Sequence, residues 1–144
     1  MEKSIFNRLG FIINQTSWAM RRRIQGVITK QGFSITPEQW ILINLLCEKP
    51  GISQTELANL MFKEKASITR MLKGLKKQEL IELSLDQKDR RKHQVHLSVK
   101  GLNLQKDLLP IIIKEYYHMV DSIPDKEKEI VMGVLTKICN IAKP

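Results

Sequence analysis

Residues 53–98 constrain the fold of this chain most, because two short amphipathic helices are followed there by a strand, a cationic loop and a second strand. Ser53-Gln54-Thr55-Glu56 fits the helix start S-x-x-E, in which the serine hydroxyl and the glutamate carboxylate each satisfy a free backbone N–H. The helix it opens is expected to run from Gln54 to about Met61. Ile68, Met71, Leu72 and Leu75 then recur at i, i+3, i+4 and i+7, which places one stripe of a second helix, residues 65–78, on a core. The opposite side of that helix carries Ala66, Arg70, Lys73 and Lys77, with Lys65 at its start, Thr69 and Lys76 on one flank and Ser67 on the other.

Leu80-Ile81-Glu82-Leu83 and His93-Gln94-Val95-His96-Leu97 read as strands, since Val95 and Leu97 alternate with Gln94 and His96. The loop between them, residues 86–92, holds Lys88, Arg90, Arg91 and Lys92 beside Asp86 and Asp89. This is the outline of a winged helix-turn-helix. A small, hydroxylated and cationic helix face suits the major groove of DNA, and a cationic loop suits phosphates or a narrow minor groove. Charge agrees with this placement: residues 63–100 hold eleven Lys/Arg against five Asp/Glu, and so supply most of the formal net charge of +9. A charge run alone is usually only a solvated face. Here it coincides with the exposed side of the second helix and with the hairpin tip, which favours nucleic acid.

Glu56-Leu57-Ala58, Ala66-Ser67-Ile68-Thr69-Arg70-Met71-Leu72, Leu75, Leu80-Ile81, Asp89-Arg90-Arg91, Val95-His96-Leu97-Ser98 and Gly101, taken in order, resemble the pattern of the MarR family of bacterial transcription regulators. The motif covers about a third of the chain, and the layout of helices extends the resemblance to nearly all 144 residues. The resemblance implies a mainly α fold with a small β-hairpin wing, in a cytoplasmic homodimer that binds a pseudo-palindromic operator in double-stranded DNA, usually to repress. Residues 35–101 would form the winged lobe, and residues 1–34 and 102–144 the dimerisation helices. Ser67, Thr69, Arg70 and Lys73 fall where the family's recognition helix meets the major groove. Asp89 and Arg91 fall where an aspartate often orients a wing arginine toward the minor groove, with Lys88 and Arg90 as basic neighbours.

Five positions depart from the family pattern. Phe62 stands where the turn commonly has glycine, and is expected either to widen the turn or to plug the core with its ring. Ala66 replaces a frequent serine. Glu79 replaces the glycine that commonly follows the recognition helix, so that helix is expected to lack the usual left-handed residue at its end. Ser98 replaces a threonine as cap of the next helix. Gly74, inside the recognition helix, either permits a close approach or is a tolerated surface glycine that costs about 1 kcal/mol.

The rest of the chain also reads as helix. Residues 5–30 are amphipathic, beginning with Ile5, Phe6 and Leu9. Thr36-Pro37 marks a helix start, and the near-continuous apolar run from Trp40 to Leu46 argues burial on several sides. A further helix begins at Ser98 and contains Pro110, which is expected to kink or divide it. A last helix, residues 124–142, presents Ile130, Val131, Val134, Leu135, Ile138 and Ile141. These terminal helices carry more apolar surface than one small lobe covers, which implies a partner surface.

No metal, cofactor or catalytic constellation is legible. His93 and His96 point to opposite faces of a strand, and His118 with Glu115 and Asp121 reads as a surface ion cluster. Cys47 and Cys139 read as buried small hydrophobes rather than a disulfide. The absence of a long apolar run points to a chain without a membrane span. By the resemblance, a small aromatic or anionic effector is expected between the dimer helices and the lobe, with Trp18, Arg22, Trp40 and Tyr116 as wall candidates. The alternative for both tryptophans is a core or interface role, and Arg21, Arg22 and Arg23 fan around their helix so that at most one or two face a ligand. A winged helix used for protein assembly or RNA is the competing reading of the lobe, and the Arg70, Lys73 and Lys77 row with the Arg90-Arg91 tip discriminates against it.

Overall fold

The computed structural model describes residues 8–89, 91 and 93–144, which form α1 (Arg8–Lys30), α2 (Pro37–Glu48), β1 (Ile52–Ser53), α3 (Gln54–Met61), α4 (Lys65–Lys77), β2 (Ile81–Leu85), β3 (His93–Leu97), α5 (Val99–Val120) and α6 (Asp125–Ala142). The expected positions Ile5 and Phe6 lie outside the described residues. Side-chain caps set the starts of three helices. Thr36 and Gln39 make a full capping box on α2, Gln39 N–H donating to Thr36 Oγ1 at 3.1 Å and Thr36 N–H to Gln39 Oε1 at 3.0 Å. Ser53 caps α3 by accepting from Glu56 N–H at 3.1 Å, but the Glu56 carboxylate takes the serine hydroxyl rather than its backbone N–H. Ser53 is at the same time a strand residue, opposite Gln94.

The sheet has three antiparallel strands in the order β1-β3-β2, one more than the expected hairpin. β1 was illegible because two residues are too few for alternation to show. It exists because Ile52 pairs with Val95 and is buried against the core. β2 also runs on to Leu85, opposite His93, past the end of its buried face, since ladder hydrogen bonds need no apolar side chain. Pro110 does not divide α5, which is one continuous helix held on α1 and α2 by Leu104, Leu108 and Ile112.

Two helix ends correct the expectation drawn from missing glycines. Phe62 and Glu79 both adopt the left-handed conformation themselves, with φ of 51° and 61°. Each closes a Schellman turn: Lys63 N–H reaches Ala58 O at 3.0 Å and Phe62 N–H reaches Asn59 O, while Leu80 N–H reaches Leu75 O at 3.0 Å and Glu79 N–H reaches Lys76 O at 2.9 Å. The Phe62 ring is 59% exposed, so it neither widens the turn nor plugs the core. Gly74 is a site of close approach, since a Cβ there would stand 2.9 Å from Gln39 Nε2, which donates to Met71 O.

The core joins Ile24 and Ile28 of α1 to Trp40, Leu42, Ile43 and Leu46 of α2, to Ile68, Leu72 and Leu75 of α4, to Val95, and to Leu104, Leu108 and Ile112 of α5. No residue of α6 is buried, and the part of α1 before Ile24 contributes none either. Cys47 and Cys139 are free and exposed rather than buried: one lies at the outer end of α2, the other on the uncovered α6.

Gly101 meets the α4–β2 turn so closely that a Cβ would lie 2.1 Å from Leu80 O. Gly101→Ala is expected to cost about 3 kcal/mol, because backbone and not a flexible side chain would have to move. Glu79→Gly should gain roughly 0.5–1 kcal/mol, the relieved left-handed strain less the added freedom of the unfolded chain. Urea midpoints at fixed protomer concentration check both.

Candidate nucleic-acid interface

Burying Ile68, Leu72 and Leu75 turns Lys65, Ala66, Thr69, Arg70, Lys73, Lys76 and Lys77 outward, and all seven are exposed, with the half-buried Ser67 beside them. The row is ordered from within. Thr69 Oγ1 lies 3.0 Å from Lys65 O and 3.2 Å from Gln54 Oε1, which ties the start of α3 to α4. Arg70 Nη2 donates to Ser67 Oγ at 3.2 Å, holding the guanidinium along the helix surface. Gln54 had no sequence signal, because only the crossing of the two helices brings it to Thr69.

The wing is shaped by its two aspartates. Asp86 Oδ1 accepts Lys88 N–H at 2.8 Å and Asp89 Oδ1 accepts Arg91 N–H at 3.0 Å, two Asx turns that fold the strand ends toward each other. Asp89 therefore acts on the backbone of Arg91 rather than on its guanidinium. Arg90 and Lys92 lie outside the described residues. Arg91 and His93 share one shallow depression with Ser53, Gln54, Thr55 and Lys65, so the root of the wing, the start of α3 and the start of α4 form one continuous face. Arg91 is exposed on it, and Lys88 and Asp89 are exposed nearer the wing tip.

A second feature lies on the other side of α2. A cavity of about 540 Å³ is walled by Leu9, Ile12, Ile13, Thr16, Ser17, Met20, Arg21 and Ile24 of α1, Pro37, Trp40 and Ile41 of α2, Tyr116 of α5, and Val131 and Leu135 of α6. Of the four wall residues expected, the structure brings Trp40 and Tyr116 together and leaves Trp18 and Arg22 outside. Trp18 is 62% exposed, and Arg22 is exposed on the far side of α1. The reason is helical phase: Arg21 faces the cavity and pairs with Glu38 of α2, Arg23 pairs with Glu115 of α5, and Arg22, between them in sequence, projects away from both partners. Glu115 is thereby engaged, and among the described residues no group of three potential ligands for a metal forms around His118 or elsewhere.

A helix pair with an exposed cationic second helix, a short antiparallel sheet and a charged wing define a winged helix-turn-helix nucleic-acid-binding lobe. Residues 33–92 match the model described as the MarR family. The transcriptional regulator HosA of Escherichia coli is 24% identical over 106 residues, 74% of this chain and 78% of the relative. The fold superposes on a MarR protein from Peptoclostridium difficile with a TM-score of 0.88 at 21% identity, covering 99% of this chain and 92% of that one. It superposes with a TM-score of 0.86 at 18% identity on an Escherichia coli MarR mutant complexed with operator DNA, covering 94% and 99%. Residues 33–92 are thus similar to the MarR family, and the fold over nearly the whole chain is the one these MarR proteins share. Among the described residues no helix is long and apolar enough to cross a membrane.

Burial against the apolar cavity wall raises the Tyr116 phenol above the ordinary tyrosine value. The folded state then holds this proton longer than the unfolded chain does. Its contribution to stability is intact below the ordinary value and is lost as pH rises through the folded one. Tyrosinate absorbance should accordingly show a late-titrating component that Tyr116→Phe removes, and the variant should lose less stability on alkalinisation.

Proposed function

We propose that two copies of this chain bind a pseudo-palindromic operator in double-stranded DNA, repress transcription in the cytoplasm, and release the operator when a small molecule enters the cavity beside α1. The observation that carries the DNA reading is the continuous face on which the exposed row of α4 meets Arg91 at the root of the wing. The operator bound by the similar Escherichia coli protein supports it. In this reading Ser67, Thr69, Arg70 and Lys73 contact base edges, while Lys65, Lys77, Lys88, Arg90 and Lys92 neutralise phosphates. Arg91 enters the minor groove from a backbone set by Asp89.

The dimer reading rests on uncovered apolar surface. Outside the cavity wall, Ile130, Met132, Val134 and Ile141 are exposed on α6 and Trp18 on α1. Residues 1–34 and 102–144 would pair the protomers, and residues 35–101 would form each DNA-binding lobe. A two-fold dimer with one recognition helix per protomer reads half-sites about 10 base pairs apart, or a small multiple of that. The effector reading rests on the cavity, whose volume lies in the range that encloses a drug-sized molecule.

Selection of duplexes from a random pool at physiological salt is the test. An enriched palindrome is expected, whereas salt-sensitive binding without one would turn the lobe into an assembly or RNA module. On the selected operator, Arg91→Ala should weaken binding about 10–100-fold and Asp89→Ala by a smaller factor. If about 8 phosphates are neutralised per dimer, log K should fall against log salt with a slope of roughly −7.

A further inference from the structure

The chemistry of the cavity wall separates two kinds of effector. Among its lining residues Arg21 is the one that carries charge, and that charge is already matched by Glu38. Glu38 sits in the first turn of α2, where the positive end of the helix dipole favours a carboxylate. The remaining wall is aliphatic and aromatic, with hydroxyls at Thr16, Ser17 and Tyr116. A carboxylate ligand entering this space would give up its hydration without gaining an unpaired cation, and it would be repelled by Glu38. A neutral ligand meets neither cost, since a hydroxyl partner is enough for its polar end.

Resting on the effector reading, we infer that the cavity selects an uncharged, largely apolar ligand of one or two rings with a single hydrogen-bonding group, and that the Arg21–Glu38 pair is the element that rejects organic anions. The size of the cavity favours a small molecule over a segment of a second copy. A helix is about 10 Å across, so little more than one turn would fill the space. Four elements of one chain already line it, leaving one side open for entry.

The probes 1-naphthol and 1-naphthoate, which share one ring system and differ in charge, titrated calorimetrically into the protein at neutral pH, distinguish the outcomes. Wild type is expected to bind the naphthol at least about tenfold more tightly than the naphthoate. Glu38→Gln frees the guanidinium while keeping the side-chain shape. It should strengthen naphthoate binding about tenfold with little change for the naphthol, and operator binding by the variant confirms its fold. Wild type that binds the naphthoate as well or better, or a Glu38→Gln variant with unchanged naphthoate affinity, overturns the proposed selectivity and leaves the effector site standing. Binding of neither probe overturns both, and leaves the operator reading to its own test.

Discussion

Leu80 O and the α-carbon of Gly101 approach so closely that no side chain fits between them, and this contact decides how the winged lobe is carried by the long helices. It is reinforced on all sides. Ser98 N–H donates to Leu80 O at 3.0 Å, Ser98 Oγ donates to Glu79 O at 2.6 Å and accepts from Gly101 N–H at 3.0 Å, and Lys100 Nζ reaches Gln78 O at 2.9 Å. One serine therefore caps α5 and fastens it to the turn that ends α4. That turn is left-handed at Glu79, which aims the carbonyls of Gln78, Glu79 and Leu80 toward the incoming helix. The strain of a non-glycine residue there, about 1 kcal/mol, is smaller than what the assembled contacts return.

The recognition helix is consequently held at both ends and in the middle. Gln78 Nε2 donates to Ser34 O at 3.0 Å, Gln39 Nε2 donates to Met71 O at 3.3 Å across the space kept open by Gly74, and Thr69 faces Gln54. Each such hydrogen bond contributes about 1 kcal/mol or less, and less where exposed, so together they do not explain why the lobe is folded. Burial of Ile68, Leu72 and Leu75, about 1.5–3 kcal/mol each, does that. The polar ties do something that apolar packing does poorly: they fix rotation and register, and the proposed reading of base edges by this helix needs both.

The same division decides which features were legible in the chain. The α4 stripe, the Ser98 cap, the two longer strands and the cationic face declare themselves by spacing or local chemistry, and all are found where that chemistry puts them. The features that escaped depend on a neighbour distant in sequence. β1 exists only because Val95 and Gln94 are there to pair with it. Phe62 and Glu79 take a conformation suited to glycine because the helices and strands on either side of each turn fix its path. Arg21, not Arg22, faces the cavity because Glu38 lies across from it, a matter of helical phase that three consecutive arginines cannot reveal. The cysteines looked buried because their helices are apolar, yet the apolar surface of α6 has nothing of its own chain to lie against.

That last mismatch connects the proposed dimer to the proposed control of binding. α1 touches the lobe through Arg21–Glu38 and through Gln25, whose Nε2 donates to Ile35 O at 3.2 Å, and touches α5 through Arg23–Glu115. Its opposite flank would meet the second protomer of the proposed dimer. The cavity opens beside these attachments, with walls from α1 and α6 on the side of the proposed dimer and from α2 on the side of the lobe. A ligand there shifts the lobe only by the difference in its affinity for two arrangements of α1 against α2. A pocket whose size depends on that arrangement converts apolar burial directly into such a difference. The rigid fastening of α5 to α4 then passes the movement to the recognition helix instead of absorbing it. In a two-fold dimer the displacement is applied twice with opposite sense, so a small change at each cavity alters the distance between the helices that must meet successive major grooves.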